Sequence, residues 1–391
     1  MSGPDADAHG PRVLAMALQA GFDMAGVCPA GPSGQADRVR AWLDAGMGAA
    51  MEWFERDLAA RLEPGRLLAG ARSALMVAWV YERRSGAGAA AGDGPAAGGD
   101  GPAAAGVARA RGPVGRVARY ARGRDYHRVV KRRLHAIADR LRAEAGGAEF
   151  RSFCDIEPVL EREHAARAGL GWVGKNTMLI HPRLGSYFVL GGFLTTMDLG
   201  PARCLWRGQG GATERGQPGP VPDHCGTCTR CIDACPTAAI TPRGVDAGRC
   251  VSYLTIEHRG RIEPALHAGI GAWLFGCDVC QEVCPHNGGG GGASDAGALP
   301  LLEVLGWGPR ERARGLGVSA MKRATLAMLR RNAAVALGNA AAAPGASESE
   351  RLAIADRLSA AAHDSAEDPL VRGAAADALG RLGASGGGAP A

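Results

Sequence analysis

The sequence predicts an α+β multidomain protein: an α/β domain, a domain built on cysteine clusters, and an α-helical repeat domain. Three observations predict this division. Strand and helix signals alternate in the first half of the chain, eight of the eleven cysteines fall between positions 225 and 284, and one helical pattern occurs twice near the end. Glycine-rich segments at 207–222 and 287–297 separate the parts, so we expect domains over 1–205, 206–297 and 298–391.

The composition of the 391 residues limits the class of protein. Hydrophobic residues make up 46% and charged residues 21%, as in ordinary globular proteins. No run approaches the roughly 18 apolar residues of a membrane span, and the first residues have neither a signal-peptide nor a twin-arginine pattern. We therefore expect a cytoplasmic protein without a membrane partner. The net charge of +6 allows an RNA partner but does not require one.

The first domain alternates strand signals with helix signals. Residues 125–145 carry an apolar stripe at helical spacing, opposite Arg and Lys side chains. Pro158 occupies a position typical of the first turn of a helix, which we expect to end at Gly169. A glycine- and alanine-rich insertion, 85–106, is expected to be a disordered surface loop. The strand-like runs are residues 73–81, 149–154, 177–180 and 186–196.

The helical repeat lies in the last part of the chain. The segment LRRNAAVALGN (329–339) recurs as VRGAAADALGR (371–381), at an offset of 42 residues. Small residues at packing positions and a terminal Leu-Gly are typical of stacked helical pairs of the HEAT type. Ordinary alanine-rich helices are the alternative interpretation.

The strongest signal in the sequence is a double cysteine motif. Residues 225–236 read CGTCTRCIDACP, which is the C-x2-C-x2-C-x3-C-P spacing of bacterial-type ferredoxins. In that motif the fourth cysteine binds the other cluster, so we predict two 4Fe–4S clusters with exchanged ligands. The predicted ligand sets are Cys225, Cys228, Cys231 and Cys284 for one cluster, and Cys235, Cys250, Cys277 and Cys280 for the other.

A structural zinc site is the alternative for these cysteines. Zinc takes four ligands, usually as two separated pairs, and would not need eight cysteines with two Cys-Pro endings. Two iron–sulfur clusters within electron-transfer distance of each other imply a redox partner at the inner end of the pair. The remaining Cys28, Cys154 and Cys204 are expected to be buried, unreactive thiols.

Asp155 is the candidate functional residue of the first domain. It follows a predicted strand, at a position where open α/β sheets present functional groups. The same residue could instead cap the next helix, and the pattern alone leaves both interpretations open. No glycine-rich phosphate-binding motif follows a strand, so we expect neither a nicotinamide nor an ATP site.

Several blocks of this sequence resemble the epoxyqueuosine reductases, which carry out the last step of queuosine synthesis in tRNA. The blocks lie in order along the chain and belong to all three predicted domains. They are RYARGRDYH (119–127), DIEPVLERE (155–163), AGLGWVGKNTMLIHPRLGSYF (168–188), CGTCTRCIDACPT (225–237), GRCVSYLTIE (248–257), GCDVCQEVCPHN (276–287) and RNAAVALGN (331–339).

The resemblance implies a complete reaction scheme. A nitroreductase-like α/β domain binds base-off cobalamin, two 4Fe–4S clusters of a ferredoxin-like domain supply electrons to the cobalt, and a HEAT-like domain helps to dock the tRNA anticodon stem-loop. The epoxide oxygen of epoxyqueuosine at the wobble position is removed, giving queuosine and water. Asp155 falls on the family's proton donor, and an apolar site beside the corrin is expected to raise the pKa of this carboxyl. The reductant is an unidentified protein, and we expect a monomer.

Further contacts are implied by the same blocks. Besides Asp155, the residues expected around the corrin are Arg61, Tyr120, Asn176, Leu179, Leu190, Ser252 and Asp278. The basic side chains expected to contact tRNA phosphates are Arg259, Arg261, Lys322, Arg323, Arg330 and Arg331. Plain packing is the alternative for the first set, and a solvated helix surface is the alternative for the second.

Other functions compete with this interpretation. A corrinoid reductive dehalogenase-like enzyme typically carries an export signal and lacks a repeat domain. A two-cluster electron-transfer protein would not need the large α/β domain. A tRNA-binding protein with purely structural clusters is the third alternative.

Overall fold

The computed structural model describes residues 6–82, 112–208, 213–216, 219–242, 244–288 and 297–386. The predicted insertion at 85–106 lies outside these residues. The described helices are α1 (Ala6–Gln19), α2 (Ala36–Asp44), α3 (Glu52–Arg56), α4 (Leu58–Leu62), α5 (Tyr126–Glu144), α6 (Glu161–Arg167), α7 (Arg230–Asp233), α8 (Val251–Ile256), α9 (Pro264–Ile270), α10 (Val279–Glu282), α11 (Leu301–Leu305), α12 (Pro309–Leu316), α13 (Leu326–Ala342), α14 (Glu348–His363) and α15 (Pro369–Gly386).

A six-stranded antiparallel sheet forms the centre of the first region. In spatial order its strands are β4 (Phe150–Phe153), β7 (Phe188–Thr195), β2 (Ser73–Val80), β1 (Met24–Pro29), β8 (Arg203–Arg207) and β9 (Thr213–Arg215). Each neighbouring pair is antiparallel. The predicted runs 73–81, 149–154 and 186–196 therefore do form strands, while the run 177–180 contributes only the short strand β6 (Leu179–Ile180), which pairs with β5 (Trp172–Val173).

Helices cover both faces of this sheet, which explains why every residue of β2 and β7 is buried. Successive side chains of a strand point to opposite faces. Leu75 and Val77 accordingly join the core formed with α1 and α5, whereas Met76 and Ala78 pack in a second cluster that includes Ala165 of α6. The burial of both faces accounts for the nearly continuous apolar sequence of these strands.

Two predicted helix boundaries in this region have different outcomes. Helix α5 begins directly after Asp125, whose side chain accepts a hydrogen bond from the backbone N–H of His127 at 3.1 Å. The prediction that Pro158 opens a helix is wrong, because α6 begins only at Glu161. Residues 154–160 form a bent loop instead, in which Asp155 has a φ of +60°.

A small three-stranded sheet connects the parts of the chain. Strand β3 (Val114–Val117) pairs in parallel with β12 (Trp273–Phe275) and antiparallel with β13 (Leu299–Pro300). The cysteine-rich region also contains the two-stranded ribbon β10 (Ile240–Thr241) and β11 (Gly244–Val245). Segments from all three predicted domains thus share one sheet, which holds the cysteine-rich region against the first region.

The last part of the chain is helical, as predicted. The two repeat copies lie on α13 and α15, which pack closely where a Cβ atom added at Gly338 would be 2.8 Å from the Cβ of Ala378. The core of α13 is continuous with that of the cysteine-rich region. Within the described part of the chain, no helix has the length and apolarity needed to cross a membrane.

Candidate active site and cluster sites

A cavity of about 550 Å³ lies between the first region and the cysteine-rich region. Aromatic side chains, among them Trp42, Trp53 and Tyr253, form part of its wall. The wall also contains all of the predicted corrin contacts except Arg61, namely Tyr120, Asp155, Asn176, Leu179, Leu190, Ser252 and Asp278. The structure therefore brings together residues that are scattered over 159 positions, from 120 to 278, in the sequence.

Arg61 lies behind this wall. It is buried, and its guanidinium carbon is 4.5 Å from the ring centre of Phe54 and 5.2 Å from that of Trp53, which lines the cavity. Burial lowers the pKa of Arg61. Its Nε is buried and has no hydrogen-bond partner within the described residues.

The eight predicted cluster ligands are divided between two cavities. Cys235, Cys250, Cys277 and Cys280 line the large cavity, together with Asp155. Cys225, Cys228, Cys231 and Cys284 line a second cavity of about 30 Å³. The two groups are the two ligand sets predicted from the exchange of the fourth cysteine. Among the described residues, no group of three or more His, Cys, Asp or Glu side chains is placed to hold a single metal ion.

Burial raises the pKa of several predicted ligands and of the other cysteines alike. The two groups differ in their neighbours, because among the described cysteines only the predicted ligands lie beside other thiols. Burial raises the pKa of Cys250, and neighbouring thiols add to the effect at Cys277 and Cys280. Four thiolates close together need a compensating positive charge, which iron supplies. Cys28 and Cys204, predicted to be unreactive, are buried singly and have pKa values raised to about 11, and Cys154 is buried with its pKa raised still further.

Hydrogen bonds from the protein orient both cysteine groups. The indole N–H of Trp172 donates to Cys225 Sγ at 3.4 Å, and the backbone N–H of Ala239 donates to Cys235 Sγ at 3.2 Å. Lys175 Nζ donates to the carbonyl of Cys228 at 3.0 Å, and Asn176 Nδ2 donates to that of Cys280 at 3.3 Å. Adjacent residues 175 and 176 therefore contact one cluster site each.

Asp155 presents its carboxylate to the large cavity, with 46% of the side chain exposed. The Tyr126 hydroxyl donates to Asp155 Oδ2, and His127 Nε2 lies 3.5 Å from the same oxygen. The Asp155 backbone N–H donates to Glu161 Oε1 at 2.8 Å. The interpretation of Asp155 as a helix cap is wrong, because α6 begins after Leu160 without a side-chain cap.

The pKa values around Asp155 differ from the expectation. Partial removal from water favours the neutral acid, but hydrogen bonds from His127 and Tyr126 outweigh this effect and lower the pKa of Asp155. Glu161 shares a hydrogen bond with this carboxylate, and its burial beside the negative charge raises the pKa of Glu161 well above the ordinary value. The raised pKa predicted for Asp155 is thus found on its neighbour.

Three residues of this site were missed by the sequence analysis. Tyr126, His127 and Glu161 lie within the quoted blocks RYARGRDYH and DIEPVLERE, but no role was predicted for them. His127 Nδ1 is 2.6 Å from Asp125 Oδ1, and the other oxygen of Asp125 pairs with Lys322. The Asp-x-His spacing at a helix N-terminus was the available signal, because a capping aspartate accepts a hydrogen bond from the backbone N–H two positions later.

The predicted RNA-contacting side chains have different environments. Arg259 is exposed, Arg261 pairs with Asp377, Lys322 with Asp125, Arg323 with Glu257 and Arg330 with Glu367. The prediction for Arg331 is wrong. This side chain is fully buried and donates to the backbone carbonyls of Leu254, His258 and Gly260, which leaves it unable to reach a phosphate.

The fold and the site define a protein with two cysteine-bound cluster sites, one of which shares a cavity with a carboxylate. Comparison with family models agrees with this class. Residues 224–287 match the 4Fe-4S double cluster binding domain, and residues 61–156 match the model described as epoxyqueuosine reductase QueG, DUF1730.

Full-length relatives identify the family. The epoxyqueuosine reductase of Xanthomonas campestris is 36% identical over 346 residues, covering 86% of this chain and 88% of the relative. That of Escherichia coli K12 is 32% identical over 338 residues, covering 84% and 80%. The chain belongs to the epoxyqueuosine reductase family, whose members are oxidoreductases.

Solved structures extend the likeness to the whole fold. A crystal structure of epoxyqueuosine reductase with an epoxyqueuosine-modified tRNA-Tyr stem loop is 27% identical, with a TM-score of 0.75 over 95% of this chain and 90% of that one. An epoxyqueuosine reductase from Bacillus subtilis, described with an aspartate catalytic loop swung out of the active site, has a TM-score of 0.73 at the same identity and coverage.

Proposed function

We propose that this chain reduces epoxyqueuosine to queuosine in tRNA, with a corrinoid in the large cavity and electrons delivered through two 4Fe–4S clusters. The observation that carries this proposal is the composition of one cavity wall. A complete cysteine quartet and the Asp155 carboxylate face the same space of about 550 Å³. Reductive chemistry that also consumes protons needs both of these elements at one place.

The residues present fit a cobalamin. A corrin is a broad apolar ring with polar amide substituents, and the wall combines apolar side chains such as Leu179 and Leu190 with the polar Asn176 and Ser252. Buried Arg61 supports this wall from behind through its contact with the ring of Trp53. A bound cobalamin would supply strongly reducing cobalt chemistry for the epoxide. The wall residues would hold and orient it, and the aromatic side chains would exclude water.

The division of the cysteines supports an order for the electrons. The quartet that includes Cys277 and Cys280 shares the large cavity, whereas the quartet that includes Cys225 and Cys228 lines the separate, smaller one. The first quartet is therefore the inner cluster site, next to the reaction, and the second is the outer site. An external reductant protein would meet the outer site.

Asp155 is the proposed proton donor. Removing an epoxide oxygen as water takes up two electrons and two protons, and Asp155 is a carboxyl group with an open path into the cavity. Its loop lies between β4 and α6, and the aspartate catalytic loop of the Bacillus subtilis relative supports a catalytic loop in this family. The positive φ of Asp155 is the kind of local strain that functional residues tolerate.

The tRNA is proposed to dock across the junction of the cysteine-rich and helical regions. Arg259 and Arg261 follow α8, while Lys322 and Arg323 belong to the 3₁₀ helix Ala320–Arg323. Phosphates would compete with the present carboxylate partners of Arg261 and Arg323. We further propose that the first region is nitroreductase-like, that α13 to α15 form HEAT-like repeats, and that the protein works as a monomer.

The test is a single-turnover reaction of the reconstituted, reduced protein with cobalamin and epoxyqueuosine-containing tRNA. Mass spectrometry of the nucleosides is expected to show loss of one oxygen. Cys277→Ala should abolish this product, while Cys204→Ala, at a buried cysteine outside both quartets, should not. A parent protein that binds cobalamin and reduces both clusters, yet leaves epoxyqueuosine unchanged, would contradict the proposed function.

A further inference from the structure

The side chains of Asp125, His127 and Asp155 lie in a row that ends at the cavity. His127 Nδ1 is 2.6 Å from Asp125 Oδ1, and His127 Nε2 is 3.5 Å from Asp155 Oδ2. The imidazole therefore lies between two carboxylates and faces one with each nitrogen. This arrangement needs N–H groups on both ring nitrogens, which only the protonated imidazole has.

We infer that His127 supplies the proton that Asp155 delivers, so that Asp125, His127 and Asp155 form a proton relay into the cavity. The inference rests on the proposed function, in which Asp155 is the donor. In each cycle of the relay, His127 Nε2–H passes its proton to Asp155 Oδ2 and becomes neutral. Asp155 passes a proton to the leaving oxygen, and Nε2 of His127 regains one from water, which can reach this side chain because 23% of it is exposed.

The reaction needs a source of protons besides the clusters. Two protons and two electrons convert an epoxide oxygen into water, and the clusters supply only the electrons. Asp155 holds at most one proton, and the donors around it keep its carboxyl mostly ionised. A neighbour that is itself charged near neutral pH can supply the proton that Asp155 lacks.

The surroundings of His127 keep it charged. Burial opposes protonation, but the hydrogen bonds to Asp125 and Asp155 raise the pKa of His127 to about 9. Lys322 pairs with Asp125 and thereby fixes the far end of the relay. The groups that face His127 or its partners are Asp125 and Tyr126 from its own segment, Asp155 and Glu161 from the loop and helix that follow β4, and Lys322 from the 3₁₀ helix.

The experiment uses His127→Ala in the full chain with both clusters. We expect the single-turnover rate to fall about 10²-fold, as on loss of an acid–base group, and added imidazole to restore it in proportion to the imidazolium concentration. The parent rate should fall as the pH rises through about 9, where His127 loses its proton. A structural role alone predicts neither rescue by a small acid nor this pH limb, so their absence would overturn the relay.

A second measurement avoids activity altogether. Histidine NMR of the protein without cobalamin should give His127 a pKa well above the ordinary 6.5 or so, and Asp125→Asn should shift it downward. An unshifted His127 would overturn the inference even if the enzyme is active. Asp155→Asn separates the two proposals. If this variant keeps the parental rate, Asp155 is not the proton donor. If Asp155→Asn is slow while His127→Ala keeps the parental rate, Asp155 remains the donor and only the relay is overturned.

Discussion

The Asp155 carboxylate is held by groups that a structural aspartate would not need. The Tyr126 hydroxyl and the His127 ring both contact Oδ2 of Asp155. The Glu161 carboxyl forms hydrogen bonds with the backbone N–H and with the side chain of Asp155. These contacts fix the direction of a side chain that remains nearly half exposed to the cavity. Such positioning is typical of a group whose function depends on its orientation.

Asp155→Asn tests this function at a single residue. Asparagine keeps the shape of the side chain and tolerates the positive φ, but it has no transferable proton. We expect turnover to fall by about 10²–10⁴-fold, with cobalamin binding and cluster reduction unchanged. Single-turnover kinetics at saturating tRNA measures the rate, and the visible spectrum measures cofactor binding. A variant with more than about half of the parental rate would contradict the assignment.

At the scale of elements, the start of α13 carries a side chain, Arg331, that the sequence predicts to contact RNA but that the structure places in a buried contact between two regions. The segment LRRNAAVALGN was singled out as a repeat, and its two arginines, Arg330 and Arg331, were expected to contact RNA. In the structure Asn332 Nδ2 donates to the carbonyls of Thr255 and Leu274 at 2.9 Å, beside the three carbonyl contacts of Arg331. The block fastens the helical region to the cysteine-rich region.

Arg331→Met should therefore destabilise the protein without a direct effect on RNA binding. Methionine replaces most of the volume but leaves three buried carbonyls without their donor, at about 1 kcal/mol or more each. We expect the free energy of unfolding to fall by about 3 kcal/mol in denaturant titration. Arg259→Met is the matched control at an exposed position and should change it by less than about 0.5 kcal/mol. Equal stability of the two variants would contradict this account.

The start of α5 predicts a pH dependence of stability. The folded pKa of His127 is about 9, above the ordinary value near 6.5, so its stabilising contribution is complete below pH 6.5 and is lost as the pH rises through 9. The lowered pKa of Asp125 acts at the other end: its contribution is present above pH 3.8 and is lost as the pH falls. Thermal unfolding of the parent should show a loss of Tm between pH 7 and 10 that is reduced in His127→Gln. An unchanged slope in the variant would contradict the assignment.

The sequence predicted some elements of the fold and the site better than others. Cysteine spacing assigned each ligand set to its cavity, because the geometry of a cluster is encoded within a few residues. The apolar runs at 73–81 and 186–196 were recognisable as strands because both faces of the sheet are buried. The prediction that Pro158 opens a helix failed because the turn at Asp155 depends on contacts with Tyr126 and Glu161. The local sequence pattern does not reveal these contacts. The prediction that Arg331 contacts RNA failed because the burial of this charged side chain depends on carbonyl groups that are distant in the sequence.

At the scale of the whole molecule, the site exists only where the regions meet. The large cavity takes Asp155 and Leu190 from the first region, and Ser252 and Asp278 from the cysteine-rich region. Trp42 Nε1 donates to the Val245 carbonyl at 2.8 Å, and the Ala50 N–H donates to the Tyr253 hydroxyl at 3.0 Å, so two further contacts hold the same junction. The cysteine-rich region therefore contributes both to the cavity wall and to the contacts that hold it against the first region.

The separation of the quartets predicts different losses from two cysteine variants. Cys228→Ala removes a ligand of the outer site, and Cys277→Ala removes one of the inner site. Each variant should retain about four of the eight iron atoms expected in the parent, with one cluster signal remaining in electron paramagnetic resonance. The retained iron also shows that the variant has folded. A parent that contains about one zinc and no acid-labile sulfide would contradict the cluster assignment itself.

The same pair of variants tests the order of the electrons. A protein reductant would have to enter at the outer site, so Cys228→Ala should lose turnover with such a donor. A small reductant such as dithionite can reach the inner cluster directly, and we expect it to restore a measurable fraction of the Cys228→Ala rate. Cys277→Ala removes the cluster that shares the cavity with Asp155, so neither donor should support its turnover. Turnover of Cys277→Ala with dithionite, beside an inactive Cys228→Ala, would reverse the proposed order.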